Sequence, residues 1–304
     1  MPIPVLIDCD PGHDDAIAIM LALASPEVEL RAVTTVAGNA PLRHTVANAI
    51  RVLDHAGRPE IPVAAGADRP LVQDPFTPGD VHGPTGLDGP DLPPPSREPA
   101  AAHAIDLIAE QVEASAEPLV LVPTGPLTNI ALFAARYPDV AAGVGRVVLM
   151  GGAYGFGNVT PNAEFNICAD PDAARRTFTS GFDVTMVGLD VTHRALLEPA
   201  HCERLAAAGR AGKLTAELVS YYGRSHAGWA GSPIHDAVAV AHVVDPTLLS
   251  LTACHVDVDC TPVGRGRTIC DLKGTSGRPA NAHVATDIRP RFGDWLSDRI
   301  SRLD

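Results

Sequence analysis

The sequence has no run of roughly eighteen or more apolar residues, so nothing in it reads as a membrane span. It opens without a basic stretch followed by a short cleavable apolar one, and the expectation is a cytoplasmic protein. It also lacks any Lys/Arg-rich tract interleaved with aromatics, and its formal net charge is −13; nucleic acid is therefore a poor partner. Its 6 cysteines contain no C-x-x-C pair, and a chain this long needs no disulfide staples. Cys9, for instance, sits among strand-end residues and reads as a small core filler rather than a nucleophile. With 304 residues, 46% hydrophobic and 19% charged, the chain is long and apolar enough to bury a large core. Small polar or neutral substrates suit it best.

Apolar runs alternate with helical patterns along most of the length, the signature of parallel strands joined by crossover helices. Strands are expected at Ile3 to Ile7, Leu30 to Val36, Leu119 to Val122, Arg146 to Met150 and Val184 to Leu189. Helices are expected near Asp14 to Leu23, Leu42 to His55, Ala101 to Ala114, Leu127 to Ala135, Pro171 to Phe178, Pro199 to Ala208, Leu214 to Ser225, His235 to Val243 and Pro290 to Ile300. Two further strand-like runs, Leu251 to Asp259 and Thr268 to Leu272, break the alternation and suggest an edge hairpin, hence a mixed sheet. The fold class expected is α/β: one domain over 1–304, with an open, mostly parallel, Rossmann-like sheet flanked by helices and a small C-terminal antiparallel edge. Residues 68–99 are dense in proline and glycine, and a loop of this length in a compact domain is usually functional, here an active-site loop.

Chemistry concentrates at the strand ends, where open α/β sheets bind their ligands. After the apolar Val5-Leu6-Ile7 come Asp8, Asp10, Asp14 and Asp15 in quick succession. Buried carboxylates repel one another and lose hydration, so the cluster calls for a compensating cation or shared protons. A hard divalent metal with oxygen ligands suits the spacing. Asn39, after the second strand, reads equally as a turn residue or as an anchor for a substrate hydroxyl. Pro123-Thr124-Gly125-Pro126 leaves carbonyls without matching donors, and one of them suits a metal. Asn129 reads as a helix cap or brace, and Asp170 as the N-cap before Pro171. The glycine-rich stretch from Gly151 to Asn158, with Glu164 and Asn166 beyond it, offers amides and a carboxylate able to read sugar hydroxyls. Late in the chain, His235-Asp236 opens an apolar helix; such a pair commonly reads as a cap with a surface imidazole, and beside the metal-type carboxylates elsewhere it also reads as a further ligand, Asp236, and a proton donor, His235.

Taken together, these stretches resemble the calcium-dependent nucleoside hydrolase family, the ribonucleoside N-ribohydrolases. The resemblance is carried by Asp8-Cys9-Asp10-Pro11-Gly12-His13-Asp14-Asp15-Ala16, Ala37-Gly38-Asn39, His82-Gly83, Pro123 to Asn129, Met150-Gly151-Gly152, Gly157-Asn158, Ala163-Glu164-Phe165-Asn166 and His235-Asp236-Ala237, in family order over nearly the whole chain. It implies hydrolysis of the N-glycosidic bond of a ribonucleoside. It further implies Ca²⁺ held by Asp10, Asp15, the Thr124 carbonyl and Asp236, with the ribose diol and a water completing its sphere, and Asp10 taking the proton of that water. Asp14, Asn39, Asn158, Glu164 and Asn166 would hold the ribose, with Met150 packed near it, and His82 and His235 would face the nucleobase. Tyr221, Tyr222 and Trp229 lie where family members place aromatic residues that close over the base. His235 resembles members that accept inosine, uridine or cytidine rather than the purine-specific ones. A homodimer or homotetramer is implied.

Two rivals frame this reading. Asp8-x-Asp10 after an apolar strand imitates a haloacid-dehalogenase-type phosphatase, but Gly12 replaces the expected Thr or Val, and Lys213 and Lys273 stand outside strand-end motifs. A non-catalytic calcium- or ribose-binding protein on the same scaffold would be expected to have lost a catalytic group. Asp10, Asn166, His235 and Asp236 are all present.

Overall fold

The computed structural model describes residues 1–76, 81–226 and 228–303. In chain order its strands are β1 (Ile3–Cys9), β2 (Val28–Thr35), β3 (Val63–Ala65), β4 (Val120–Pro123), β5 (Arg146–Met150), β6 (Val184–Val187), β7 (Leu196–Leu197), β8 (Ser232–Pro233), β9 (Leu249–Cys254), β10 (Val256–Asp259), β11 (Arg267–Cys270) and β12 (Ala282–Ile288). An 8-stranded sheet runs in the order β3-β2-β1-β4-β5-β6-β12-β9. All its pairings are parallel except β12 with β9. The central strands β4, β5 and β6 are short, valine-rich and, apart from Arg146 at the start of β5, buried, as parallel strands covered on both faces must be. Along β1, Val5, Ile7 and Cys9 join one apolar layer and Leu6 the other, the two-residue period of a strand with core on each side.

From β1 the chain steps outward to β2 and β3, then returns to the opposite flank of β1 at β4. The strand order therefore reverses between β1 and β4, and a crevice opens at their carboxyl ends. The helices His13–Leu23 and Asp236–Val244 are apolar almost all round, which suits burial, and they pack against each other. Among the described residues, no helix is long and apolar enough to cross a membrane.

The antiparallel edge differs from the expected hairpin. The run from Leu251 to Asp259 breaks at His255 into β9 and β10, and β10 pairs with β11 in a separate ribbon. The antiparallel edge of the main sheet is made instead by β9 paired with β12, the latter buried at Ala282, Val284, Ala285 and Ile288. A register shift between Ala285 and Asp287 interrupts the alternation, and two of those four residues are alanine, so the strand leaves little apolar signal. The helix expected to start at Leu214 spans Gly209–Tyr222 and passes into a 3-10 turn, Gly223–His226.

Residues 68–99 carry no helix or strand among those described; 77–80 lie outside the description. The segment is pinned to the helix Leu42–His55. Asn48 Nδ2 donates to the Thr85 carbonyl at 2.8 Å, and Arg51 Nη2 to that of Leu92 at 2.6 Å. Pinned this way, it carries His82 over the end of β1.

Candidate active site

Beneath the crevice, Asp8 ties the strand ends together. Its Oδ1 accepts from Thr34 Oγ1 at 2.6 Å and from Asn129 Nδ2 at 2.8 Å, and burial pushes its carboxyl up to about 7. Asn129 also donates to the Thr35 carbonyl and accepts from the Ala67 N–H, so it is a brace, as expected. Asp170 caps its helix through the Ala173 N–H at 3.0 Å. Cys9 is fully buried and its thiol is pushed well up, first by burial and then by neighbouring carboxylates; it packs the core.

Asp10 follows β1, and backbone approaches it from two sides. A Cβ on Gly38 would stand 2.0 Å from Asp10 Oδ2, and one on Gly125 would stand 2.6 Å from Oδ1. The Asn39 N–H donates to Oδ2 at 2.6 Å, while Oδ1 is buried with no hydrogen-bond partner among the described residues. Asp15 accepts from the Gly12 N–H at 2.9 Å, which caps its own helix, and from Thr124 Oγ1 at 2.8 Å and Asn39 Nδ2 at 3.3 Å.

Oxygen atoms of Asp14, Asp15 and Asp236 all lie within 4.8 Å of one another, all three residues being buried. Asp10 is not part of that group, and Asp14, expected on the ribose, is. Burial and repulsion from Asp15 push Asp14 up to about 7, and burial with the charges of Asp14, Asp15 and Asp10 pushes Asp236 well up. Asp10 is likewise raised by burial and by Asp15. Helix N-termini at Asp14-Asp15 and Asp236 supply partial positive charge. Among the described residues no Lys or Arg lines the cavity above, so whole positive charges there come from protons or a cation. The donor set, hard carboxylate oxygens with an unpartnered Asp10 Oδ1 beside them, fits a divalent ion of the calcium or magnesium kind. The Thr124 carbonyl accepts Asn166 Nδ2 at 2.7 Å and keeps a second lone pair.

Above lies a cavity of about 340 Å³. Asp14, Asn39, Thr124, Met150, Asn158, Glu164, Asn166, His82, His235 and Asp236 all line it; Asp10 and Asp15 lie below, behind Asn39 and Thr124. Glu164 is the N-cap of the helix Phe165–Ala169, accepting from the N–H groups of Gly152, Asn166 and Ile167 at 2.9, 2.8 and 3.2 Å. Burial pushes its carboxyl up to about 7. Gly152, at φ +74°, supplies the left-handed turn that aims its N–H at Glu164. A larger cavity of about 880 Å³ lies over Arg204, Arg291 and Asp294, where both arginines pair with Asp294 and none of the site residues read from the sequence enters.

On the far side, His82 Nδ1 lies 3.0 Å from His13 Nδ1, and His235 Nδ1 lies 2.7 Å from Thr192 Oγ1. Burial, with the neighbouring histidines, pushes His82 down to about 3 and His235 well below the usual imidazole range. Both shifts favour the uncharged ring. Tyr222 and Trp229 line the cavity. Tyr221 does not: it stacks on His13 at 4.9 Å, with Arg224 over its ring.

A family model described as inosine-uridine preferring nucleoside hydrolase matches residues 5–292. The chain belongs to the nucleoside hydrolase family. It is a ribonucleoside hydrolase, an N-glycosidase. The pyrimidine-specific ribonucleoside hydrolase RihA of Shewanella sp. (strain ANA-3) is 46% identical over 98% of this chain and 96% of its own, and that of Salmonella agona is 43% identical over 99% of each. Among solved structures, the purine-preferring ribonucleoside hydrolase from Gardnerella vaginalis superposes with a TM-score of 0.92 at 37% identity, covering 99% of this chain and 98% of that one.

In this nucleoside hydrolase the cavity gathers side chains that the sequence left unremarked. His193, at the end of a short turn after β6, meets the rings of Phe156, Trp229 and His235 at 5.0, 5.0 and 5.3 Å. His226 stands between Tyr222 and Trp229. The position of His193 just past a strand end was a usable signal; His226 had none. The phosphatase rival has no footing, since both lysines are exposed and neither lines the cavity.

Proposed function

We propose that this hydrolase cleaves pyrimidine ribonucleosides, uridine and cytidine, to free base and ribose with a bound Ca²⁺. The observation that carries the reading is the convergence of buried, uncompensated carboxylates, Asp14, Asp15 and Asp236, on a cavity walled by sugar-reading groups on one side and imidazoles on the other. Asp15, Asp236, the Thr124 carbonyl and Asp10 or Asp14 would hold the ion. When bound, Ca²⁺ supplies a grip on the ribose diol and lowers the pKa of a water.

The protein's own groups do the rest. Asp10, with Oδ2 tied to Asn39 and Oδ1 free, accepts a proton from the attacking water. The water oxygen bonds to C1′ as the C1′–N bond breaks, and the electron pair leaves with the base. Positive charge developing on the ribosyl ring is met by Glu164 and by the amide dipoles of Asn166 and Asn39. His235 and His82 stand on the side where the base departs. The preference for pyrimidines draws on the two relatives named pyrimidine-specific and on His235; the Gardnerella protein, named purine-preferring, makes base choice the point to test. Family likeness also supports a cytoplasmic homodimer or homotetramer, a single domain over 1–304, and segment 68–99 as an active-site loop, through His82.

The test is to incubate the protein with uridine, cytidine, inosine and adenosine, with and without a chelator, and measure reducing sugar. Uridine and cytidine should release ribose fastest, and chelation should stop it. Nucleoside binding with no ribose released would replace hydrolysis by a binding role.

A further inference from the structure

Thr192 is wholly buried at the end of the short turn Leu189–Thr192. The turn is firmly seated: the Leu189 N–H donates to the Gly152 carbonyl at 2.9 Å, and the Thr192 N–H to Gly188 at 3.1 Å. Its Oγ1 has His235 Nδ1, at 2.7 Å, as its sole hydrogen-bond partner among the described residues. A hydroxyl carries one proton and can also accept. If Nδ1 held the ring proton, Thr192 would accept it and its own buried proton would have no acceptor, which is costly. The satisfied arrangement has the hydroxyl donating to Nδ1. The proton of the neutral ring then sits on Nε2, which has no hydrogen-bond partner among the described residues and belongs to a residue lining the cavity. The rings of His193 and Trp229 lie beyond, and His193 flanks His235 at 57°.

We propose that Thr192 is a positioning residue for glycosidic cleavage, its hydroxyl fixing the His235 tautomer so that an Nε2–H, rather than a bare nitrogen, meets the departing nucleobase. The proposal rests on the hydrolytic reading above. It adds no covalent step: the Nε2–H stabilises the electron pair left on the base when C1′–N breaks, and the imidazole keeps its proton. A ring of the opposite tautomer would present a lone pair to that same electron pair.

The experiment compares wild type, Thr192→Val, Thr192→Ser and His235→Ala on uridine and on 4-nitrophenyl β-D-ribofuranoside, whose leaving group departs without help. Thr192→Val should lower kcat on uridine about ten- to a hundredfold, with KM within a few-fold, and lose far less on the nitrophenyl riboside. Thr192→Ser should restore uridine turnover to within a few-fold. Equal losses on both substrates, or full uridine turnover by Thr192→Val, would overturn the proposal. Imidazole ¹⁵N spectra of the wild-type protein, with His235 assigned by its absence in His235→Ala, give a reading that needs neither turnover nor a folded Thr192 variant. A protonated Nε2 supports the proposal and a protonated Nδ1 refutes it. Inertness of the wild type toward both substrates would sink the hydrolytic reading, leaving the spectra to decide the tautomer.

Discussion

The main-chain N–H of Asn39 donates to Asp10 Oδ2 at 2.6 Å, while the side-chain amide of the same residue reaches Asp15 Oδ2 at 3.3 Å. One residue thus ties the carboxylate proposed as base to a carboxylate proposed as ligand. It leaves Asp10 with one oxygen fixed and one free.

Asp10→Asn is expected to keep the fold, because an amide oxygen can still accept from the Asn39 N–H. It should lose about a hundredfold or more in uridine turnover, the scale of a missing general base. Steady-state kinetics with a melting curve check both halves, and wild-type rates in a folded variant would remove Asp10 from the proton transfer.

Gly38→Ala adds a single methyl group 2.0 Å from Asp10 Oδ2, closer than any real contact. Carboxylate or loop must shift, so turnover should fall at least about tenfold, since misplacement of a reacting group by an ångström is costly. The same kinetic assay decides it; a fully active Gly38→Ala would mean that the position of Asp10 is not critical.

The ion-free protein has a definite pH response. Asp14, pushed up to about 7 by burial and Asp15, and Glu164, pushed up to about 7 by burial, hold protons more tightly folded than unfolded, where they titrate near 3.8 and 4.5. Their contribution to stability is fullest below the ordinary carboxylate range and is lost as pH rises toward 7. A divalent ion competes with those protons at Asp14, so its stabilising effect should grow with pH. At a fixed Ca²⁺ concentration a hundredfold above its Kd at pH 8, the melting temperature should rise by about 5 °C at pH 8 and by less at pH 5, relative to chelator. A larger shift at pH 5 would place the ion elsewhere.

Much of this was legible in the sequence because long apolar runs and dense acidic clusters leave strong signals. β5 and the helices Leu42–His55 and Pro171–Phe178 appear within the limits read from periodicity. Asp14, Asn39, Glu164, Asn166, His235 and Asp236 meet at one cavity, having been read from the sequence at strand ends, in the glycine-rich stretch and at helix starts. What escaped was short or three-dimensional. β3 has 3 residues and the helix Phe165–Ala169 has 5, too few for a period to show. The grouping of Asp14 rather than Asp10 with Asp15 and Asp236 depends on how one helix turn faces another, which spacing does not reveal. The Thr192–His235 bond joins residues 43 apart and had no local trace.

The late strand β12 lies inside the sheet, between β6 and β9, although most of the chain precedes it. A nascent polypeptide that has emerged only as far as β9 must leave the flank of β6 bare, a row of amides and carbonyls open to any other extended segment. Completion of the sheet thus waits on residues 282–288, and a ribosome stalled before residue 282 would hold a sticky, unfinished product.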